Sequence, residues 1–335
     1  MTSTYQIFRG AEGAVKKSSA PLPPLGPKDI LVKITHSGLC ASDLAYVPYG
    51  IALGHEGVGV VEAIGSAVTQ FKVGDRAGGG YHRDSCGHCT YCLSGQDIWC
   101  YERSIYGEKE CNNGTFGEYY IGVETYLHKI PDGLASAYAA PLQCAGATTY
   151  NALVSVIKPG ERVGILGIGG LGHLAIQFAR KLGTEVVVFS TTKSKEEEAR
   201  KLGASEFYLL DELEKLQEPV TTLVVAGSRY PDWSKFLVKN VLARAGNIVP
   251  LVAPHSPDGE LTLPAFTVFF DGYNVRSSLV ASRAKHDEML AFAAAQGVKP
   301  LIEEFELSEK GIEEAIGKLR ENKIRYRGVL VAKSA

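Results

Sequence analysis

Arg162-Val163-Gly164-Ile165-Leu166 runs straight into Gly167-Ile168-Gly169-Gly170-Leu171-Gly172, and apolar residues then recur at helical spacing from Leu171 to Leu182. A short apolar strand, a G-x-G-x-x-G turn and a helix, in that order, open a dinucleotide-binding βαβ unit. Gly167 permits the tight turn, Gly169 lets the backbone approach a pyrophosphate, and Gly172 allows close helix–strand packing. With Gly170 and Leu171 they form a cofactor loop whose helix N-terminus offers N–H groups and a favourable dipole to an anion. His173, in the first turn of that helix, reads as structural.

The same texture continues downstream. Glu185-Val186-Val187-Val188-Phe189 is a second strand, apolar without interruption and so buried on both faces. Lys195 to Leu202 is a charged helix; Thr222 to Ala226 and Asn247 to Leu251 are further strands. Alternating strands and helices predict a doubly wound parallel sheet. An NAD site would place Asp or Glu at the end of the second strand, but here the chain reads Ser190-Thr191-Thr192-Lys193-Ser194-Lys195. Hydroxyls and lysines stand where a 2′-phosphate would sit, so Ser190, Thr191, Lys193 and Lys195 are expected to select NADP(H). The competing reading is an ordinary solvated lysine pair at a helix start.

Before about residue 148 the pattern differs. Ile30 to Ile34, Gly57 to Val61 and Val73 to Arg76 read as short strands with tight turns, which predicts a β-rich, barrel-like unit. Beyond Asp287 a helix, the strand Ile302 to Phe305, a helix from Ser308 to Glu321 and the strand Tyr326 to Ala332 follow. Periodicity does not say to which unit this tail belongs.

Four of the seven cysteines fall in one stretch, Cys86-Gly-His-Cys89-Thr-Tyr-Cys92, then Cys100. Four thiolates on one loop can close a tetrahedron about Zn²⁺, with no position left for substrate, which makes the site structural. Gly87 and Gly95 let the loop turn back. The alternatives are free or disulfide-paired cysteines, or His88 replacing one thiol.

The chain has 335 residues, 45% hydrophobic and 21% charged, with a net charge of -2. That fits about two domains. It supplies no electrostatic reason for binding nucleic acid or an anionic membrane. Met1 to Ser19 holds no apolar leader, Lys333-Ser334-Ala335 is no known address, and no stretch is long enough to span a bilayer. A cytoplasmic protein is expected.

Spacing alone would not join Gly38-Leu39-Cys40-Ala41-Ser42-Asp43, Gly54-His55-Glu56 and Cys144-Ala145-Gly146-Ala147-Thr148-Thr149-Tyr150. Cys144 alone could be a small buried apolar residue, and His55 a satisfied turn histidine. Their order, together with the four-cysteine loop and Gly167 to Gly172, resembles the zinc-containing medium-chain alcohol dehydrogenases, most closely the cinnamyl-alcohol-dehydrogenase-like branch. The resemblance runs nearly end to end. It implies a β-rich GroES-like catalytic domain, 1–148 and 287–335, around a Rossmann domain, 149–286.

The resemblance further implies that Cys40, His55 and Cys144 bind a catalytic zinc, with Glu56 behind the metal and Asp43 orienting His55. Ser42 matches the hydroxyl that takes the alcohol proton, Thr149 a residue packing near the nicotinamide, and Arg327 a late arginine reaching the pyrophosphate, with Arg325 as its competitor. Ala45 and Ala41 depart from the pattern: relatives often carry a histidine and a basic residue there. The stretch from Cys40 to His55 also looks shorter than in relatives. Tyr46, Tyr49, Trp99 and Phe269 could line the substrate cleft or simply pack. Val275 to Ser282 resembles the apolar edge strand through which relatives dimerise, so a homodimer is expected. Cys111 reads as a plain thiol.

The implied activity is hydride exchange between NADP(H) and a primary, allylic or aromatic, alcohol/aldehyde pair. The alternatives are reduction of an activated C=C or C=N bond on the same fold, and a non-catalytic, zinc-stabilised binding protein.

Overall fold

The computed structural model describes residues 4–251 and 260–333. Ser334 and Ala335, part of the terminal address considered above, lie outside the described residues. The chain divides into two compact units, Met1–Ala147 with Ala281–Ala335, and Thr148–Val280. The second segment of the first unit begins ahead of residue 287 because one helix, Arg283–Gln296, occupies that stretch whole.

The first unit is built on a seven-stranded sheet. Ile302–Glu306 and Arg327–Val331 lead into Asp29–Leu39, Glu56–Ile64, Arg76–Gly80 and His128–Lys129, with Tyr119–Val123 pairing on Asp29–Leu39. The tail therefore joins this unit: Gly328 stands opposite Leu39 in an antiparallel ladder. Ile30, Val32 and Ile34, two residues apart along Asp29–Leu39 and so on one face of the strand, share one apolar cluster with Val61, Phe71 and Leu127. The strand expected over Val73 to Arg76 begins only at Arg76, since the Gly74 N–H donates to the Val61 carbonyl and the Val61 N–H to the Asp75 carbonyl, both at 2.9 Å, in the turn before it.

The second unit holds a six-stranded sheet, all of its pairings parallel. Its order is Glu206–Leu209, Glu185–Ser190, Arg162–Leu166, Val220–Val225, Leu242–Pro250, Asn274–Val275. Numbered along the chain this is 3-2-1-4-5-6, the order of a dinucleotide-binding sheet. The first helix, Gly172–Lys181, leaves the central strand at the glycine turn. Among the described residues no helix is long and apolar enough to cross a membrane.

The stretch Val275 to Ser282 matches an exposed edge strand only at its start: Asn274–Val275 closes the sheet and is exposed, as are Arg276 and Ser277, whereas Val280, Ala281 and Ser282 are buried. Val280 adopts φ 43°, a left-handed conformation that a β-branched residue reaches only under tertiary constraint and that ends any strand.

Candidate active site

The six-residue helix Ala41–Tyr46 starts at Cys40, and Asp43 caps it: Asp43 Oδ2 accepts the Cys40 N–H at 2.9 Å. The other oxygen, Oδ1, accepts from the Gly54 N–H at 3.2 Å and from His55 Nδ1 at 3.0 Å. Asp43 thereby ties the two segments that carry Cys40 and His55 into one corner, and it is fully buried. Tyr106, which sequence reading passed over, completes the corner. Its ring lies 4.5 Å from that of His55, and its hydroxyl accepts the Gly54 N–H at 3.1 Å.

Cys144 arrives from a different direction. It lies in a π-helical turn, Leu142–Gly146, between the helices Ser136–Pro141 and Ala147–Val154. Such wide turns gather at functional sites because they re-aim a side chain within a helix. One ligand atom each from Cys40, His55, Glu56 and Cys144 falls within 4.8 Å of the others.

Two sulfurs, an imidazole nitrogen and a carboxylate are a zinc donor set. With Nδ1 hydrogen-bonded to Asp43, His55 offers Nε2 to the group, and this nitrogen is buried without a partner among the described residues. A buried, orphaned ring nitrogen beside two thiols is what a metal would satisfy. The electrostatics agree. Burial pulls the His55 pKa down, but Asp43 and Cys40 outweigh it and raise it to about 10, so this spot favours positive charge. Burial pushes Glu56 up to about 7 against the opposing pull of Arg327.

Arg327 sits on the last strand, buried, with Nη2 at 2.6 Å from both Glu56 oxygens. The structure thus brings it to the back of the metal set. Ser42 is half-buried, with Oγ 3.8 Å from Cys40 Sγ.

The four-cysteine loop is equally defined. Cys86, Cys89, Cys92 and Cys100 place their sulfurs 3.5 Å (Cys89–Cys92), 3.6 Å (Cys86–Cys100) and 3.9 Å (Cys86–Cys92) apart. Four sulfurs about 2.3 Å from one tetrahedral zinc stand about 3.8 Å from each other. The Cys89 and Glu102 N–H groups point at Cys86 and Cys100 sulfur, both at 3.4 Å. His88 instead directs Nδ1 to the Cys86 carbonyl at 2.8 Å.

In the second unit the backbone geometry requires glycine at two positions of the turn. Gly167 has φ +92°, and a Cβ there would come 2.7 Å from Gly227 Cα; a Cβ on Gly172 would meet the Gly167 carbonyl oxygen at 1.9 Å. Around Gly169 nothing lies within 4 Å of a Cβ, leaving open space beside the turn. Thr149 is buried on the helix Ala147–Val154. Thr191 and Lys193 are exposed at the end of the second strand, whereas Ser190 is buried and its hydroxyl donates to the Thr192 carbonyl at 3.0 Å. Lys195 turns inward and donates to the Ile168 carbonyl at 2.7 Å, bracing the glycine loop.

Among the aromatic candidates, Tyr46 packs edge-on to Tyr106 and its hydroxyl donates to the Tyr106 carbonyl at 3.3 Å. Tyr49 and Phe269 are exposed, and Trp99 stacks beneath Arg103.

Residues 26–132 match the alcohol dehydrogenase GroES-like domain, and residues 170–295 match the zinc-binding dehydrogenase domain. A probable formaldehyde dehydrogenase of Bacillus subtilis is 36% identical, over 91% of this chain and 90% of its own length. An NADP-dependent alcohol dehydrogenase of Mycolicibacterium smegmatis is 33% identical over 98% and 97%. The structure of a cinnamyl alcohol dehydrogenase from Sorghum bicolor superposes with a TM-score of 0.89 at 30% identity, covering 98% of both chains. The chain belongs to the zinc-containing medium-chain alcohol dehydrogenase family, in its cinnamyl-alcohol-dehydrogenase-like branch.

Proposed function

We propose that this chain is a zinc-dependent alcohol dehydrogenase that exchanges hydride between NADP(H) and a primary, allylic or aromatic, alcohol/aldehyde pair. The observation that carries the reading is the convergence of Cys40, His55 and Cys144 with the orphaned His55 Nε2. In this reading those three side chains hold a catalytic zinc, and Cys86, Cys89, Cys92 and Cys100 hold a second, structural one. A bound zinc supplies Lewis acidity toward the substrate oxygen, while the nicotinamide accepts or donates the hydride.

The chain's own residues do the rest. Asp43 holds the His55 ring with Nε2 facing the set. Ser42 Oγ, beside Cys40, takes the hydroxyl proton as the alcohol is oxidised and returns it in reduction. Ala45 offers no titratable group three residues on to carry that proton further. Gly167, Gly169, Gly170, Leu171 and Gly172 cradle the pyrophosphate, and Thr149 packs near the nicotinamide. Arg327, paired with Glu56, adds positive charge behind the metal donors.

The NADP(H) preference rests on the exposed Thr191 and Lys193, with Ser190, whose hydroxyl both donates to and accepts from Thr192, shaping that turn and Lys195 acting through the loop it braces. The NADP-dependent relative supports it. A homodimer is the expected assembly. Phe266, Phe269 and Phe270 are exposed together on the helix Ala265–Asp271, close in sequence to the edge strand Asn274–Val275, and call for a cover. Seven cysteines with no disulfide among the described residues suit a reducing, cytoplasmic setting.

The test is a panel of allylic and aromatic primary alcohols with NADP⁺, with zinc counted per chain. Turnover with about two zinc ions is expected, and Ser42→Ala should cut kcat. No turnover by zinc-replete protein, or alkene reduction that ignores Ser42→Ala, would overturn the reading.

A further inference from the structure

Three histidines outside the metal set are buried in the first unit: His82, His128 and His286. Two of them form a stack that leads to the turn bearing Cys144. The rings of His128 and His286 lie 3.7 Å apart and 10° from parallel. His128 Nδ1 donates to Asp287 Oδ1 at 2.7 Å. On the far side, His286 Nε2 stands 3.1 Å from Gln143 Oε1.

The hydrogens can be assigned by elimination. Gln143 Nε2 lies 3.0 Å from the Ala139 carbonyl, which can only accept. The amide NH₂ therefore faces Ala139, the amide oxygen faces His286, and His286 carries its proton on Nε2. A third side is closed by the glycine-rich strand Arg76–Gly80, where a Cβ on Gly78 would come 2.8 Å from Gln143 Cδ. Gln143 is itself fully buried. A polar side chain held on three sides, one residue before a candidate zinc ligand and inside a π-helical turn, has little reason to be there for packing alone. An apolar residue would fill the space without needing two hydrogen bonds.

We propose that His286 is a positioning residue for Cys144: by donating to Gln143 it locks the π-helical turn that presents the Cys144 thiol to the metal, and the stacked His128 keeps His286 in place. The Gln143 amide donates to the Ala139 carbonyl, which ties the wide turn to the helix Ser136–Pro141 ahead of it. Without the donor from His286, the Gln143 oxygen is buried and unpaired, and the turn gains an incentive to relax toward ordinary helix. That would rotate Cys144 away from Cys40 and His55. The inference rests on Cys144 being a zinc ligand, as proposed above.

Zinc release from the holoenzyme to a chromogenic chelator tests it. Cys144→Ser, expected to retain only the four-cysteine zinc, assigns the two phases. His286→Ala should quicken the Cys144-dependent phase about tenfold or more, the range seen when groups behind metal ligands are removed, with the other phase unchanged. His286→Gln, whose amide N–H can reach the same oxygen, should restore most of the wild-type rate. Gln143→Ala should mimic His286→Ala, and the double variant should be no faster than either.

Wild-type release from His286→Ala, or equal acceleration of both phases that His286→Gln does not rescue, would overturn the proposal. A wild-type enzyme carrying only the four-cysteine zinc would refute the metal reading itself, and the inference would fall with it.

Discussion

Arg327 Nη2 lies 2.6 Å from both carboxylate oxygens of Glu56, although the two residues are 271 positions apart and neither side chain reaches solvent appreciably. The pair joins the last strand of the chain to the strand that begins just after His55. It places a compensated negative charge behind the metal donors.

Breaking that pair should be costly. A charge left alone in a buried site destabilises a protein by about 3–5 kcal/mol, while replacing both partners with apolar groups can be neutral. Arg327→Leu should therefore lose that much in urea unfolding, and Glu56→Leu/Arg327→Leu should recover most of it. A double variant no more stable than Arg327→Leu would show that the pair is not the reason.

Lys193 is exposed beside the end of the second strand, with only a long 3.9 Å contact to Glu196. If it reaches a 2′-phosphate, Lys193→Ala removes one charge-assisted hydrogen bond, about 1.5–3 kcal/mol. The kcat/KM for NADPH should fall at least about tenfold, with NADH unaffected. Equal loss with both cofactors would mean that Lys193 only steadies the helix Glu196–Leu202.

What could be read in advance follows the range of the forces involved. The alternating strands and helices of the second unit and the glycine requirement at Gly167 and Gly172 rest on local periodicity and backbone sterics, both written in adjacent residues. The four-cysteine loop is likewise local. Cys40, His55 and Cys144 were joined only by family resemblance, because nothing local pairs them. The Arg327–Glu56 pair, the Tyr106 packing on His55 and the His286–Gln143 bond are contacts between distant segments, and no period announces them. Val275 to Ser282 is legible only at its start: Val275 lies exposed on the sheet's edge strand, while tertiary packing buries Val280 and Ala281 in an irregular path.

The four-cysteine loop should behave as a folding element. Between Cys86 and Cys100 there are only two short helices, Thr90–Leu93 and Asp97–Trp99, so little besides a metal can hold the sulfurs together. Cys89→Ser should lower zinc content from two to one per chain and reduce Tm, since binding energy at such a site is folding energy. Unchanged Tm with one zinc lost would show that the loop folds without its metal.

Stability should also fall in mild acid, through the buried histidines. Burial, with His128 and His82 as neighbours, holds His286 well below 6.5. Burial likewise lowers His82 to about 4, aided by His128 and Arg103 and opposed by Asp97, which Arg283 also faces. Asp287 pairs with His128 alongside. Both histidines regain 6.5 on unfolding, so below that pH the unfolded chain binds protons that the native one refuses. Stability is then fully present above pH 6.5 and is lost as pH falls toward 4, by up to about 1.4 kcal/mol per pH unit for each group. His82→Gln/His286→Gln should flatten the urea-unfolding profile between pH 6.5 and 5, with free zinc matched between proteins so that metal linkage cancels. An unchanged slope in the double variant would place the acid sensitivity elsewhere, in the carboxylates or the metal ligands.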